Sequence, residues 1–218
     1  MTYPILEHDP SRDALIEPSK LIKPRDVPGH VVICFFREVV DKVIAEHDAK
    51  VLVKNNWEDG PHPVYEITYQ DQRLAFFHPG VGAPMAAGML EETIALGCRK
   101  FIACGGCGVL EKGIGVGDLI VVSSAVRDEG VSYHYLPPSR EVIANEAGVN
   151  ALLKTLTRHG VPHRLGKTWT TDAPYRETPN TIARRKEEGC LVVEMETASM
   201  IAVAVSGCSF WTSSLWRR

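Results

Sequence analysis

Leu191-Val192-Val193 is an apolar run of strand length that leads directly into Glu194-Met195-Glu196. Thr197-Ala198-Ser199-Met200-Ile201-Ala202 follows, with the make-up of a helix too apolar to lie on a surface. A chain carrying this segment has to bury a strand, a helix and the two carboxylates between them. Buried carboxylates cost several kcal/mol unless they are hydrogen-bonded, so the pair needs a purpose.

The rest of the chain alternates in the same way. Strands are expected at 31–35, 51–54, 64–69, 74–78, 101–104, 118–126 and 191–193, with turns at Asp59-Gly60-Pro61 and Gln70-Asp71. Helical spacing or composition marks 38–47, 84–96, 149–159 and 180–188, closed by glycine at Gly97, Gly160 and Gly189. This alternation predicts an α/β fold in a single domain, a central mixed β-sheet flanked by helices. Residues 1–30 hold five prolines and read as an extended arm that wraps something, a neighbouring subunit included. The domain proper is expected over 31–205, and 206–218 reads as an irregular tail.

Composition excludes several classes. With 24 Lys+Arg against 27 Asp+Glu, the formal charge of -3 gives no basic field for a polyanion, so a dedicated nucleic-acid binder is not expected. No window approaches the run of about 20 apolar residues that a membrane span needs, and Glu7, His8 and Asp9 stand where a signal peptide would be apolar. Six cysteines in 218 residues are too sparse for a disulfide scaffold, which points to a reduced, cytoplasmic protein.

Four segments could carry chemistry. His78-Pro79-Gly80-Val81-Gly82-Ala83-Pro84 joins a strand to a helix through two glycines, where backbone N–H groups and the helix N-terminus favour an anion; a plain tight turn is the alternative. Phe101 to Gly108 is a strand opening into glycines. Its Cys104-x-x-Cys107 lacks the further ligands of a zinc site and the following helix of a redox motif, so small residues packed beneath a ligand are expected, with no metal. Thr170 to Thr178 is a polar loop whose ring, guanidinium and hydroxyls can stack on a base and hydrogen-bond its carbonyl edge, although a solvated loop has the same make-up. In the fourth segment, one carboxylate after Val193 can accept from two adjacent hydroxyls, as in a ribose 2′,3′-diol. A first-turn Glu favoured by the helix dipole is the alternative for Glu196.

The order of the Gly-x-Gly turn, the glycine-rich strand end, Val116-Gly117-Asp118-Leu119-Ile120-Val121, Arg127-Asp128-Glu129-Gly130 and Val193-Glu194-Met195-Glu196 resembles the nucleoside phosphorylase-I family, in its uridine phosphorylase-like branch. The resemblance implies a pentosyltransferase that phosphorolyses a nucleoside, pyrimidine and uridine-like, to free base and ribose 1-phosphate. Phosphate is the co-substrate and no cofactor is needed. It also implies a homo-oligomer (dimer, trimer or hexamer) whose neighbours complete each other's sites. Carried over to this chain, Glu194, Met195 and Glu196 would hold the ribose. Thr171, Tyr175 and Arg176 would lie at the base, and Gly80, Gly106, Cys107 and Arg37 would border the phosphate. Glu196 and Arg176 would be the catalytic pair.

Three departures temper the likeness. Cys34-Phe35-Phe36-Arg37 stands where the family has a phosphate loop, leaving Arg37 as the one candidate there. Ala103 replaces a second phosphate arginine, and Gly106 a threonine. The family also continues after Ala204 through a strand, a loop and a long helix, whereas this chain runs into a tail with two Trp and a Phe, as a truncated or frame-shifted end would. Two alternatives follow. One is a nucleosidase using water, as the related methylthioadenosine/adenosylhomocysteine nucleosidases do, although the aspartate those enzymes place after the next strand is missing here. The other is a catalytically impaired nucleoside-binding homologue.

Overall fold

A computed structural model describes residues 3–206 and 211–217. In chain order its elements are α1 (Pro18–Leu21), β1 (His30–Cys34), α2 (Arg37–Glu46), β2 (Lys50–Trp57), β3 (Gly60–Tyr69), β4 (Gln72–Phe77), α3 (Ala83–Leu96), β5 (Lys100–Gly106), β6 (Gly108–Val109), β7 (Leu119–Asp128), α4 (Ser132–Tyr135), β8 (Glu141–Ile143), α5 (Glu146–Arg158), β9 (His163–Thr171), α6 (Pro179–Glu187), β10 (Cys190–Glu194), α7 (Thr197–Ser206) and β11 (Trp211–Arg217). Short 3-10 turns occupy Pro4–Leu6 and Pro174–Arg176. The strands form one mixed sheet in the order β2-β3-β4-β1-β5-β11-β7-β9-β10-β6, with β8 beside β7. The expected α/β fold with a central mixed sheet is therefore the observed one.

Two sets of parallel strands make up the sheet. β4, β1 and β5 run together in one direction, and β7, β9 and β10 in the other; β11 lies between them, parallel to β5 and antiparallel to β7. The expectation of an irregular tail fails over 211–217. The facing edges of β5 and β7 offer unpaired backbone groups, and residues 211–217 satisfy both, with Trp211 opposite Lys100 and Leu215 opposite both Cys104 and Val121. Residues 207–210 and 218 lie outside the described residues. The Thr-Ser-Ser stretch breaks the period-2 alternation by which a strand is ordinarily recognised.

α7 packs across the middle of this sheet against α3. Ala198, Met200, Ile201, Ala202, Val203 and Ala204 are all buried, and Ala86, Ala87, Met89 and Leu90 of α3 share a core with Met200, Val203 and Ala204. Small side chains let the two helices approach closely enough for Ser199 Oγ, which donates to the Glu196 carbonyl at 2.7 Å, to stand 3.4 Å from the Ala83 carbonyl. α6 is fixed from outside. Arg185 donates to Asp128 and to Glu188, and Asp128 also accepts from the Trp169 ring N–H at 2.9 Å.

Candidate active site

The first wall of the site is built by adjacent strand ends. β4, β1 and β5 are neighbours, so the segments that follow them, 78–82, 35–37 and 105–107, stand side by side. Ligands of open parallel sheets gather at such carboxyl ends. After β4 the chain turns through Gly80 at φ 83° and Gly82 at φ 90° before entering α3. A Cβ on Gly80 would stand 2.3 Å from Met85 Cγ, in a backbone conformation that side chains rarely adopt. Gly80→Ala is therefore expected to cost about 2 kcal/mol or more of stability, measured as a lower denaturant midpoint. An unchanged midpoint would show that the turn tolerates a side chain.

His78 locks this wall together, and the sequence reading did not select it. Gly80 N donates to His78 Nδ1 at 3.1 Å, so Nδ1 is an acceptor and the neutral ring carries its proton on Nε2. Burial, and then the nearby Arg37 charge, push its pKa down, so the ring is neutral at pH 7. Phe35 meets the His78 ring edge-on, with centroids 6.4 Å apart. Gly80, His78 and the exposed Arg37 thus gather on one side. Gly106 is exposed at the end of β5, while Cys107 is half-buried against the core. Ala103 is buried in that core. Among the described residues no group of three or more His, Cys, Asp and Glu could hold a metal ion.

The second wall is the junction of β10 and α7. Glu194 is 5% exposed and spends both oxygens on the protein. Oε1 accepts from the hydroxyls of Thr170 at 2.6 Å and Thr168 at 3.2 Å; Oε2 accepts from the backbone N–H of Glu196 at 2.8 Å and Thr197 at 2.7 Å. The sequence expectation of a Glu194 that lines the pocket meets a carboxylate with four internal donors, which suits it to holding the α7 N-terminus and not a ligand.

Glu196 differs in the way that matters chemically. It is 4% exposed yet has only two backbone donors, Gly82 N at 2.7 Å on Oε1 and Met195 N at 3.2 Å on Oε2. The Gly82 contact brings the start of α7 onto the turn after β4, joining the two walls. Burial first, and then the Glu194 charge, push the Glu196 carboxyl up to about 7. Burial raises the Glu194 carboxyl as well, against the pull of its donors, so the two carboxyls titrate as a pair in which the Glu194 charge helps to raise Glu196. A carboxylate with unused acceptor capacity beside a glycine turn can receive hydroxyl donors from a ligand.

The third wall is the loop after β9. Thr171 is buried, and its hydroxyl accepts from Ala173 N at 3.2 Å, so it shapes the loop. Asp172 lies near enough to Glu196 to raise its pKa, and it accepts from Gly130 N at 2.8 Å. Tyr175 is 99% exposed on the 3-10 turn, with Arg176 exposed beside it. The structure joins Glu196 to the Gly80–Gly82 turn through Gly82 N, and that turn to His78, whose ring feels the Arg37 charge; Tyr175 and Arg176 stand exposed on the 3-10 turn. Thr170, expected in the loop, lies in β9 and with Thr168, which the sequence does not single out, holds Glu194; their alternation along β9 is the available signal. Arg127 is buried and bonds Ser132, Leu136, Pro137 and Ser139, tying down the segment after β7.

The turn after β4 and the end of β10 meet where Gly82 N bonds the buried Glu196 carboxyl. The family model described as "Phosphorylase superfamily" matches residues 30–206. The chain belongs to the phosphorylase superfamily, on the nucleoside phosphorylase-I side that its motifs resemble. It is 27% identical over 188 residues to the guanosine phosphorylase of Halorubrum lacusprofundi, covering 86% of this chain and 77% of that one. It is 31% identical over 153 residues to the uridine phosphorylase of Thermococcus kodakarensis, covering 70% of this chain and 54% of that one. Among solved structures, the uridine phosphorylase of Vibrio fischeri ES114 superposes with a TM-score of 0.79 at 21% identity, over 95% of this chain and 85% of that chain.

Proposed function

We propose that this chain phosphorolyses a uridine-like pyrimidine nucleoside, releasing free base and ribose 1-phosphate. The observation that carries the reading is Glu196: a buried carboxylate with spare acceptor capacity, set against a glycine turn at the end of β4. In this reading the enzyme is a pentosyltransferase with inorganic phosphate as co-substrate and no other cofactor. Glu196 in its ionised form accepts from the 2′- and 3′-hydroxyls of the ribose, beside Met195, and fixes the sugar while the glycosidic bond stretches towards an oxocarbenium-like state. Glu194 holds the backbone that carries Glu196. Arg37, the neutral His78 and the backbone around Gly80, Gly106 and Cys107 face the phosphate that attacks the anomeric carbon. Thr171 sets the loop on which Tyr175 and Arg176 stand, and Arg176 stabilises negative charge on the leaving base.

A second reading, attack by water, is favoured by Ala103, which is buried and offers no charge where a phosphate arginine would stand. A homo-oligomer in the cytoplasm completes the proposal. What supports assembly is the N-terminal arm, whose Leu15 and Ile16 are 99% and 80% exposed. Among the described residues no helix is long and apolar enough to cross a membrane.

The test is base release from uridine and guanosine at saturating phosphate. Faster release from uridine is expected, and a preference for guanosine would overturn the pyrimidine assignment. Arg176→Ala is expected to raise the KM for uridine about tenfold, the worth of a hydrogen bond to a charged group, with the KM for phosphate unchanged. The reverse pattern would place Arg176 on the phosphate.

A further inference from the structure

β1 and β5 are adjacent parallel strands in which Cys34 stands opposite Cys104, with Phe35 N donating to the Cys104 carbonyl at 2.9 Å. Neighbouring strands lie about 4.7–4.9 Å apart, inside the range of about 4.4–6.8 Å between Cα atoms that a disulfide spans. Register partners on parallel strands point to the same face, and the half-buried Cys104 packs against the buried Cys34 in one apolar cluster. The other described cysteines lack this arrangement. Cys107 packs against a different part of the core, Cys190 stands opposite Lys167, and Cys98 follows α3.

We propose that Cys34 and Cys104 form a reversible dithiol–disulfide couple, a modification site at the strand ends that lead into Phe35-Phe36-Arg37 and Gly105-Gly106-Cys107. The thiols are unequal. A hydrogen bond from Cys104 outweighs burial and brings Cys34 down to about 7, while the same bond holds the Cys104 thiol up. Cys34 is thus the thiolate that reacts, and hydrogen peroxide is the oxidant. The Cys34 thiolate attacks one peroxide oxygen, forming a sulfenic acid and expelling hydroxide. Cys104 sulfur then attacks the sulfenic sulfur, the S–S bond forms, and the second oxygen leaves as water with the remaining proton. Two thiols and one peroxide become one disulfide and two waters, and the two electrons come from the sulfurs. The bridge would tie together the two segments that border the phosphate. Only that last placement rests on the function proposed above.

The full-length chain is treated with hydrogen peroxide, alkylated and digested without reductant, and its peptides are weighed. The expected product joins the Cys34 and Cys104 peptides and is lighter than their sum by two hydrogens. It should appear with the loss of two alkylatable thiols that dithiothreitol restores. Cys34→Ser and Cys104→Ser should each abolish the product, and Cys107→Ser should leave it. A Cys104–Cys107 link, sulfinic acid on either residue in place of the bridge, or six thiols unchanged would overturn the proposal. Because the readout is mass, an enzyme that fails to release any base would count against the proposed function and leave this result standing on its own.

Discussion

Glu196→Gln is expected to lower kcat/KM by about 10³–10⁵-fold, the penalty when a site built around substrate hydroxyls loses its charged acceptor. The same substitution should stabilise the fold at pH 8. The Glu196 carboxyl is raised from 4.5 to about 7 by burial and by Glu194. A raised folded-state pKa favours the folded protein below the unfolded value, and that advantage is lost as pH rises from about 4.5 through about 7. At pH 8 the wild type therefore carries a disfavoured charge that glutamine lacks, a cost of about 3 kcal/mol; glutamine has one oxygen for the Gly82 and Met195 N–H groups, which returns about 1 kcal/mol of that, for a net gain of about 2 kcal/mol and about 4–8 °C in Tm. Activity should move the opposite way in the wild type, with kcat/KM rising as pH climbs through about 7 and Glu196 ionises. A glutamine variant that keeps near-normal kcat/KM would remove sugar recognition from this residue, and one less stable than wild type at pH 8 would contradict the charge assignment.

Glu194 should answer differently. Glu194→Ala strands three buried donors, the Thr170 hydroxyl and the backbone N–H groups of Glu196 and Thr197, while the Thr168 hydroxyl keeps the Val192 carbonyl at 3.4 Å. Breaking a buried charged cluster in this way costs about 3–5 kcal/mol, and the variant is expected to unfold early in denaturant. Glu194→Gln can keep its oxygen on the two N–H groups and turn its amide to the threonine hydroxyls, so it should fold. It also deletes the charge that helps to raise Glu196. Its acidic limb of kcat/KM against pH should shift below the wild-type value, towards the ordinary carboxylate range. An unmoved limb would mean that burial alone sets Glu196 and that Glu194 is only a brace.

The difference between these two carboxylates shows where the sequence stops being informative. Val193-Glu194-Met195-Glu196 before a helix of small and apolar residues with no charge announces two buried carboxylates, because a surface helix carries a charged face. Which one keeps free acceptor capacity depends on Thr168 and Thr170, which reach Glu194 from a strand 24 or more residues away. The glycines at 80 and 82 were legible as a turn, since only their backbone freedom matters. His78, at the head of the same segment, was not, because its Nδ1 contact and its neighbour Phe35 come from chain reversal and sheet pairing. β11 was hidden for a related reason: its strand is specified by two waiting edges, not by its own alternation. The resemblance puts Tyr175 and Arg176 at the base, and in the structure both are exposed on the 3-10 turn after β9.

Phosphorolysis and hydrolysis differ in one product. Incubation of the purified chain with uridine and inorganic phosphate, followed by phosphorus NMR, distinguishes them. A ribose 1-phosphate resonance that grows in step with uracil is expected, with no uracil when phosphate is withheld. Uracil released at the same rate without phosphate, alongside free ribose and no new phosphorus signal, would contradict phosphorolysis and assign the site to a hydrolase.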